Sequence, residues 1–220
     1  MYETFYIEKL YPLQDKVLRL INSLATNFYL TGGTALSRCY VKHRYSDDLD
    51  FIVNDLPTFR DEVFRIQNEL DRNFFVEIQR TGERFQRLML KGEDTLLKLE
   101  FINDVPFHFG NLESTDIFGS VDNPLNILSN KISAIMDRDE AKDFADVFSI
   151  ASYLEEIDWK TIFVSASSKS AGIFAPLVAE RIAHFDFNRL DQIKWNSNYR
   201  WEALKQKQQE IVHSIIGLEN

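Results

Sequence analysis

The segment Asp48-Leu49-Asp50-Phe51-Ile52-Val53 constrains the fold of this chain more than any other. Residues 49–53 read as a buried strand, and successive side chains of a strand point to opposite faces. Leu49, Phe51 and Val53 therefore enter a core on one side, while Ser46, Asp48 and Asp50 share the other. Two carboxylates two residues apart on one face repel each other unless a cation lies between them. Their spacing suits a shared divalent ion. Asp47 is out of phase with the pair and reads as a solvated or turn residue. A solvated strand end is the alternative for the pair itself.

The surrounding sequence supplies a sheet and its helices. Residues 13–26 carry apolar positions at helical spacing, and 28–31 read as a short strand. Gly32-Gly33-Thr34 then opens a helix in which Leu36, Cys39, Tyr40 and His43 share a face. Cys39 reads as core, and His43 as a surface imidazole with a nucleotide contact as the alternative. Pro57 starts a helix to about Asp71, and strands follow at 74–80, 84–91 and 95–102. From about Asn123 the chain is helical throughout. Pro124 sits at a helix start with Leu125, Leu128, Ile132 and Ile135 as its stripe. Phe144, Val147, Phe148 and Ala151 form another stripe, and helices near 172–184 and 198–217 complete a bundle. The change near residue 120 is one of structural class and not a linker. It divides the chain into an α/β domain over 1–120 and a helical domain over 121–220.

Composition removes several function classes. With 25 basic and 34 acidic residues the net charge is −9, spread over both halves without a basic arm, which speaks against a protein that coats duplex DNA. A single cysteine forms no internal disulfide or cysteine-based zinc site. Four scattered histidines lack ligand-like spacing. The longest uncharged stretch, Leu20 to Ser37, is broken by polar residues and glycines and is too short to span a bilayer. The N-terminus lacks the apolar core of a signal peptide. The expected compartment is the cytoplasm, with no membrane partner.

The chemistry concentrates around the acidic strand. Gly32-Gly33-Thr34 lies between a strand and a helix, where glycine lets backbone approach a ligand and a helix N-terminus offers free N–H groups to phosphate. An ordinary turn is the plainer reading of two glycines alone. A phosphate cradle followed by a metal-binding acid pair is the layout of phosphoryl or nucleotidyl transfer. A third acid comes from TLLKLEFIN (95–103), where Lys98 and Glu100 share a face of an otherwise apolar strand. Glu100 sits beside Asp48 and Asp50 if the strands are neighbours; a cross-strand salt bridge is the alternative. Arg38, Lys42 and Arg44 form one basic cluster, and Arg80, Arg84, Arg87 and Lys91 another, suited to a triphosphate or an RNA backbone or else to plain solvation.

The run GGT, a short helix, then HRYSDDLDF resembles the AbiEii-type nucleotidyltransferases of type IV toxin–antitoxin and abortive-infection systems, within the polymerase-β-like superfamily. The stretch KISAIMDRDEAKDFADVFSI (131–150) is similar to that family's helical motif. The resemblance implies an α+β fold: a nucleotidyltransferase-like mixed sheet flanked by helices, with a C-terminal helical bundle closing the nucleotide cleft. It implies that Gly32, Gly33 and Thr34 hold phosphates, with Ser46 nearby, and that Asp48 and Asp50 bind Mg2+ with Glu100 as third acid. Lys131 would contact the triphosphate. Asp143 and Asp146, three residues apart on one helical side, either join it or pair with Arg138 or Lys142. The implied reaction moves a nucleoside monophosphate from a nucleoside triphosphate, GTP by resemblance, to a hydroxyl of tRNA, other RNA or protein, with a cognate antitoxin as partner. A small-molecule acceptor, as in aminoglycoside nucleotidyltransferases, and nucleotide binding without turnover stay open.

Overall fold

The computed structural model describes residues 2–196 and 198–219. They fall into two units: residues up to Ala35 with Tyr45–Phe107 and Asn111–Asn123, and Leu36–Arg44 with His108–Gly110 and the chain from Pro124 on.

The first unit begins with α1 (Tyr2–Phe5), a π-helical stretch (Tyr6–Leu10) and α2 (Tyr11–Ser23). It continues through β1 (Tyr29–Thr31), α3 (Gly32–Ala35), β2 (Leu49–Asn54) and α4 (Phe59–Asn73). The strands β3 (Phe75–Thr81), β4 (Phe85–Lys91), β5 (Leu96–Asp104), β6 (Glu113–Thr115) and β7 (Gly119–Val121) follow. All seven strands join one mixed sheet in the order β3-β4-β5-β2-β1-β7-β6. The three strands expected at 74–80, 84–91 and 95–102 are β3, β4 and β5. Strands β6 and β7 have three residues each, too short for a period-two pattern to show in sequence.

Alternation decides which face of the sheet is closed. Leu49, Phe51, Leu88, Leu90, Leu97, Leu99 and Phe101 are all buried, and Phe51 stacks on Phe101 at 5.3 Å. In α4, Phe59, Val63, Ile66 and Leu70 recur at helical spacing and are buried. The ring of Phe28 meets both Phe59 and Phe101 edge-on, tying helix to sheet. Each such large apolar side chain contributes about 1.5–3 kcal/mol when fully buried. The alternate residues, including Asp50, Lys98, Glu100 and Arg87, are left half-buried on the opposite face.

The second unit carries α5 (Pro124–Asp137), α6 (Ala141–Tyr153), α7 (Trp159–Lys169), α8 (Ala175–Ala183) and α9 (Leu204–Ile216). Helix α6 is buried nearly all round, from Asp143 through Ala151, as befits a central helix. Phe144 stacks on Phe185 at 4.4 Å, and Phe148 on Phe187 at 5.7 Å. Helix α7 went unread in the sequence, although its N-cap is plain: the Asp158 carboxylate accepts from the Thr161 backbone N–H at 3.3 Å.

One expected helix is cut short. After α3, Leu36–Tyr40 winds as a π-helix closed by the Val41 N–H to the Leu36 carbonyl at 2.9 Å. Lys42 then takes a positive φ of 54° and ends the helical winding. His43 consequently leaves the face it was expected to share with Leu36, Cys39 and Tyr40. It is fully buried, and no surface imidazole; Cys39 is only half-buried, and no core residue.

Candidate active site

In the first unit the acids are assembled by strand register. Asp50 lies opposite Thr31 of β1 on one side and opposite Glu100 of β5 on the other. Asp48 precedes β2, and the backbone there is fixed from two directions. The Thr34 hydroxyl, fully buried, donates to the Asp48 carbonyl. The buried Gln14 of α2 donates from Nε2 to the carbonyls of Ser46 and Asp47, each at 3.2 Å. Ser46 itself is buried in this loop. Gly32 adopts φ +69°, a left-handed backbone that glycine tolerates and other residues resist. A Cβ at that position would lie 2.6 Å from Oδ2 of Asp50, so the turn packs directly on the carboxylate.

Two cations accompany the three acids. Lys98 places Nζ 2.8 Å from Oδ2 of Asp48 and 3.5 Å from Oε1 of Glu100. Arg87 approaches the same Glu100 oxygen with Nη2 at 2.6 Å and Nε at 2.7 Å. The cross-strand ion pair foreseen for Glu100 is thus formed, with Arg87. Burial works against the Lys98 charge, but Asp48, Glu100 and Asp50 outweigh it and hold its pKa above the ordinary lysine value.

Three carboxylates, Asp50 and Glu100 on adjacent strands and Asp48 just before β2, are hard oxygen donors of the kind magnesium prefers. The Gly32 backbone lies close enough to position one of them. The residues fit the ion, although among the described residues no ready cage of three ligands is formed.

The remaining expected residues assemble elsewhere, inside the second unit. Asp146 is fully buried, and every oxygen lone pair is aimed at a donor. Oδ1 faces His43 Nε2 at 2.8 Å and Arg44 Nε at 2.7 Å. Oδ2 faces Arg44 Nη2 at 2.8 Å and Lys131 Nζ at 2.7 Å. Lys131 also reaches Asp143 at 2.7 Å, and Arg138 bonds Asp143 through Nε at 2.8 Å and Nη2 at 3.1 Å. Lys142 turns instead to Glu140 at 2.8 Å. Burial raises the Asp146 pKa, but Arg44 and Lys131 overcome it and hold the carboxyl well below the usual range. Asp143 is likewise held low against its burial, by Lys131 and Arg138. Burial disfavours the Lys131 ammonium, yet Asp146 and Asp143 raise its pKa. For His43 burial prevails and lowers the pKa, with Asp146 offsetting part of the effect.

Sequence reasoning missed His43 and Arg44 as partners of Asp146 and Arg87 as partner of Glu100. Arg87 had a signal, as an arginine in phase with the open face of its strand. The pairing of residue 44 with residue 146 had none, because it depends on tertiary folding.

Among the described residues no helix is long and apolar enough to cross a membrane. A search of the curated proteins finds no match to this chain. Two solved structures share its fold. One is that of a candidate nucleotidyltransferase from H. pylori, with a TM-score of 0.64 and 18% identity over 94% of this chain and 95% of that one. The other is JHP933 from Helicobacter pylori, with a TM-score of 0.59 and 19% identity over 92% of this chain and 89% of that one. The sequence profile described as "Nucleotidyl transferase AbiEii toxin, Type IV TA system" matches residues 18–210. The chain therefore belongs to the AbiEii family of nucleotidyltransferase toxins.

Proposed function

We propose that this nucleotidyltransferase moves a nucleoside monophosphate from a nucleoside triphosphate to an acceptor hydroxyl on RNA or protein. In this reading it needs magnesium, works in the cytoplasm and is restrained by a cognate antitoxin. The observation that carries the proposal is the register of Asp50 opposite Glu100, with Asp48 two residues upstream and Gly32 against the Asp50 carboxylate.

Asp48 and Asp50 would hold the cation, with Glu100 as the third acid. When bound, a divalent ion neutralises charge that develops on the phosphates. Gly32 and Gly33 leave backbone, unobstructed by side chains, next to the phosphates, and Thr34 pins the chain entering β2. Glu100 accepts the proton of the acceptor hydroxyl. The hydroxyl oxygen bonds to the α-phosphorus, the bond from that phosphorus to the β-phosphate oxygen breaks, and pyrophosphate leaves. Positioning supplies much of the acceleration. For Lys131, Asp143 and Asp146 the nucleotide-binding role rests on the family motif. Their buried ion network supports a positioning part, since it holds His43 and Arg44 just upstream of Asp48 in the chain.

The test is incubation of the purified protein with labelled nucleoside triphosphates, magnesium and cellular RNA or protein. Transfer should fall at least about 100-fold in Asp48→Ala and Asp50→Ala, the scale of losing one preorganised electrostatic group. Equal transfer by wild type and variants would sink the proposal.

A further inference from the structure

The cross-strand series that includes Asp50 and Glu100 does not stop at Arg87. On the next strand Arg80 stands directly opposite Arg87. That pairing depends on an irregularity: the register of β3 against β4 shifts between Ile78 and Arg80. In an unbroken ladder Gln79 would face Arg87, and Arg80 would point to the side of α4. A bulge re-aims side chains in this way, and bulges recur beside active sites.

Like charges directly opposite each other destabilise a sheet. Here both guanidinium groups crowd one aromatic ring, with Arg80 5.5 Å and Arg87 5.6 Å from the centroid of Phe85. Arg80 is exposed and makes no ion pair among the described residues. The same face continues with Met89 and with exposed Lys91, which lies between Phe75 on β3, 69% exposed, and Leu96 on β5, 60% exposed. Glu77, opposite Met89, is the acid on this part of β3. Arg84 stands apart, because its guanidinium bonds the carbonyls of Asn103 and Asp104 at 2.8 and 2.7 Å and Asp55 at 3.0 Å.

Strand order gives this strip its meaning. The Gly32 turn leaves β1, on one side of Asp50, whereas β4 and β3 lie beyond Glu100 on the other. If the triphosphate sits by Gly32 and the attacking hydroxyl by Glu100, the molecule bearing that hydroxyl extends over β4 and β3. We propose that Arg80, Phe85 and Arg87 bind the terminal nucleotides of a single-stranded nucleic acid whose end hydroxyl is the acceptor. This rests on the reading under Proposed function. Guanidinium forks match phosphodiesters in geometry and charge. An aromatic ring among arginines is a stacking platform that tolerates any base. An exposed arginine, Arg80, facing the half-buried Arg87 whose charge Glu100 already shares, leaves a positive surface that fits a polyanion better than a protein acceptor.

Fluorescence anisotropy with a short, unstructured, labelled RNA, and DNA of the same sequence, tests the assignment without turnover. Arg80→Gln should weaken RNA binding about five- to tenfold and reduce the slope of log K against log salt by about 0.7, the value for one lost phosphate contact on a single strand. Phe85→Leu should weaken it about fivefold or more. Arg65→Gln, the same charge change on α4, should leave it unchanged. Binding of nucleoside triphosphates by calorimetry should be equal in all four proteins. The proposal is overturned if the wild type binds neither strand, or if Arg80→Gln binds as well as the wild type. It is also overturned if Arg80→Gln loses triphosphate affinity in parallel, or if transfer proceeds to a protein acceptor undiminished in that variant. A protein that binds RNA through these residues yet transfers no nucleotide would refute the transfer reading and leave the strand-binding strip standing.

Discussion

Asp146→Asn removes one oxygen and one charge from the middle of the buried ion cluster in the second unit. The carboxylate accepts from His43, Arg44 and Lys131 through four contacts of 2.7–2.8 Å. Asparagine offers one acceptor oxygen, so in either orientation its amide NH2 points at two donors. The charge balance makes matters worse. Arg44, Lys131 and Arg138 against Asp143 and Asp146, with His43 neutral, carry a formal +1; the variant carries +2. Breaking a buried pair and leaving uncompensated charge costs about 3–5 kcal/mol. Lys131→Met acts on the same cluster but leaves Asp143 with Arg138, Asp146 with Arg44 and His43, and a formal charge of zero. Its cost should be smaller, about 1–2 kcal/mol. The protein has three tryptophans, Trp159, Trp195 and Trp201, all in the second unit. Their fluorescence in a urea titration therefore reports on that unit. A loss below about 1 kcal/mol for Asp146→Asn, or a larger loss for Lys131→Met than for Asp146→Asn, would refute the reasoning from charge balance.

Gly32→Ala should cost about 1–2 kcal/mol for the left-handed backbone. It should also cut transfer at least about 100-fold by pushing the Asp50 carboxylate aside. Gly172→Ala is its control, because φ is +82° there but nothing lies within 4 Å, so strain should appear in a thermal melt with activity intact. Equal activity in Gly32→Ala and Gly172→Ala would dismiss the packing of Gly32 on Asp50. The second unit should also lose stability as pH falls below about 6.5, the ordinary histidine value, because the unfolded chain then takes up a proton that buried His43 resists. The pH dependence from one such group is at most about 1.4 kcal/mol per unit, and His43→Gln should abolish it. A second loss, as pH falls below about 4 through the depressed pKa values of Asp143 and Asp146, should persist in His43→Gln. An unchanged slope near pH 6 in the histidine variant would show that another group titrates there.

What the sequence made legible follows from the range of the interactions. Asp48 and Asp50 were readable because strand alternation is local: Leu49, Phe51 and Val53 are in the core, and the acids are out of phase with them. Glu100 was readable as a charged residue in an apolar strand, and the register of β2 with β5 then sets it opposite Asp50. The helical motif around Lys131, Asp143 and Asp146 was visible as residue types, but the identity of their partners was not. His43 was misread because the periodicity of residues 36–43 is that of an α-helix, while the backbone winds as a π-helix and turns at Lys42. That turn takes the imidazole out of a helical surface and sets it against a carboxylate 103 residues away. The β3 bulge is the same kind of event on a smaller scale. One extra residue in β3 changes which side of the sheet Arg80 occupies, so a basic cluster that looked uniform in sequence divides by its contacts. Arg84 braces backbone, Arg87 balances Glu100, and Arg80 lies against the Phe85 ring without an ion pair among the described residues. Local period predicts which residues a face presents, but helix winding and strand register decide which of them meet.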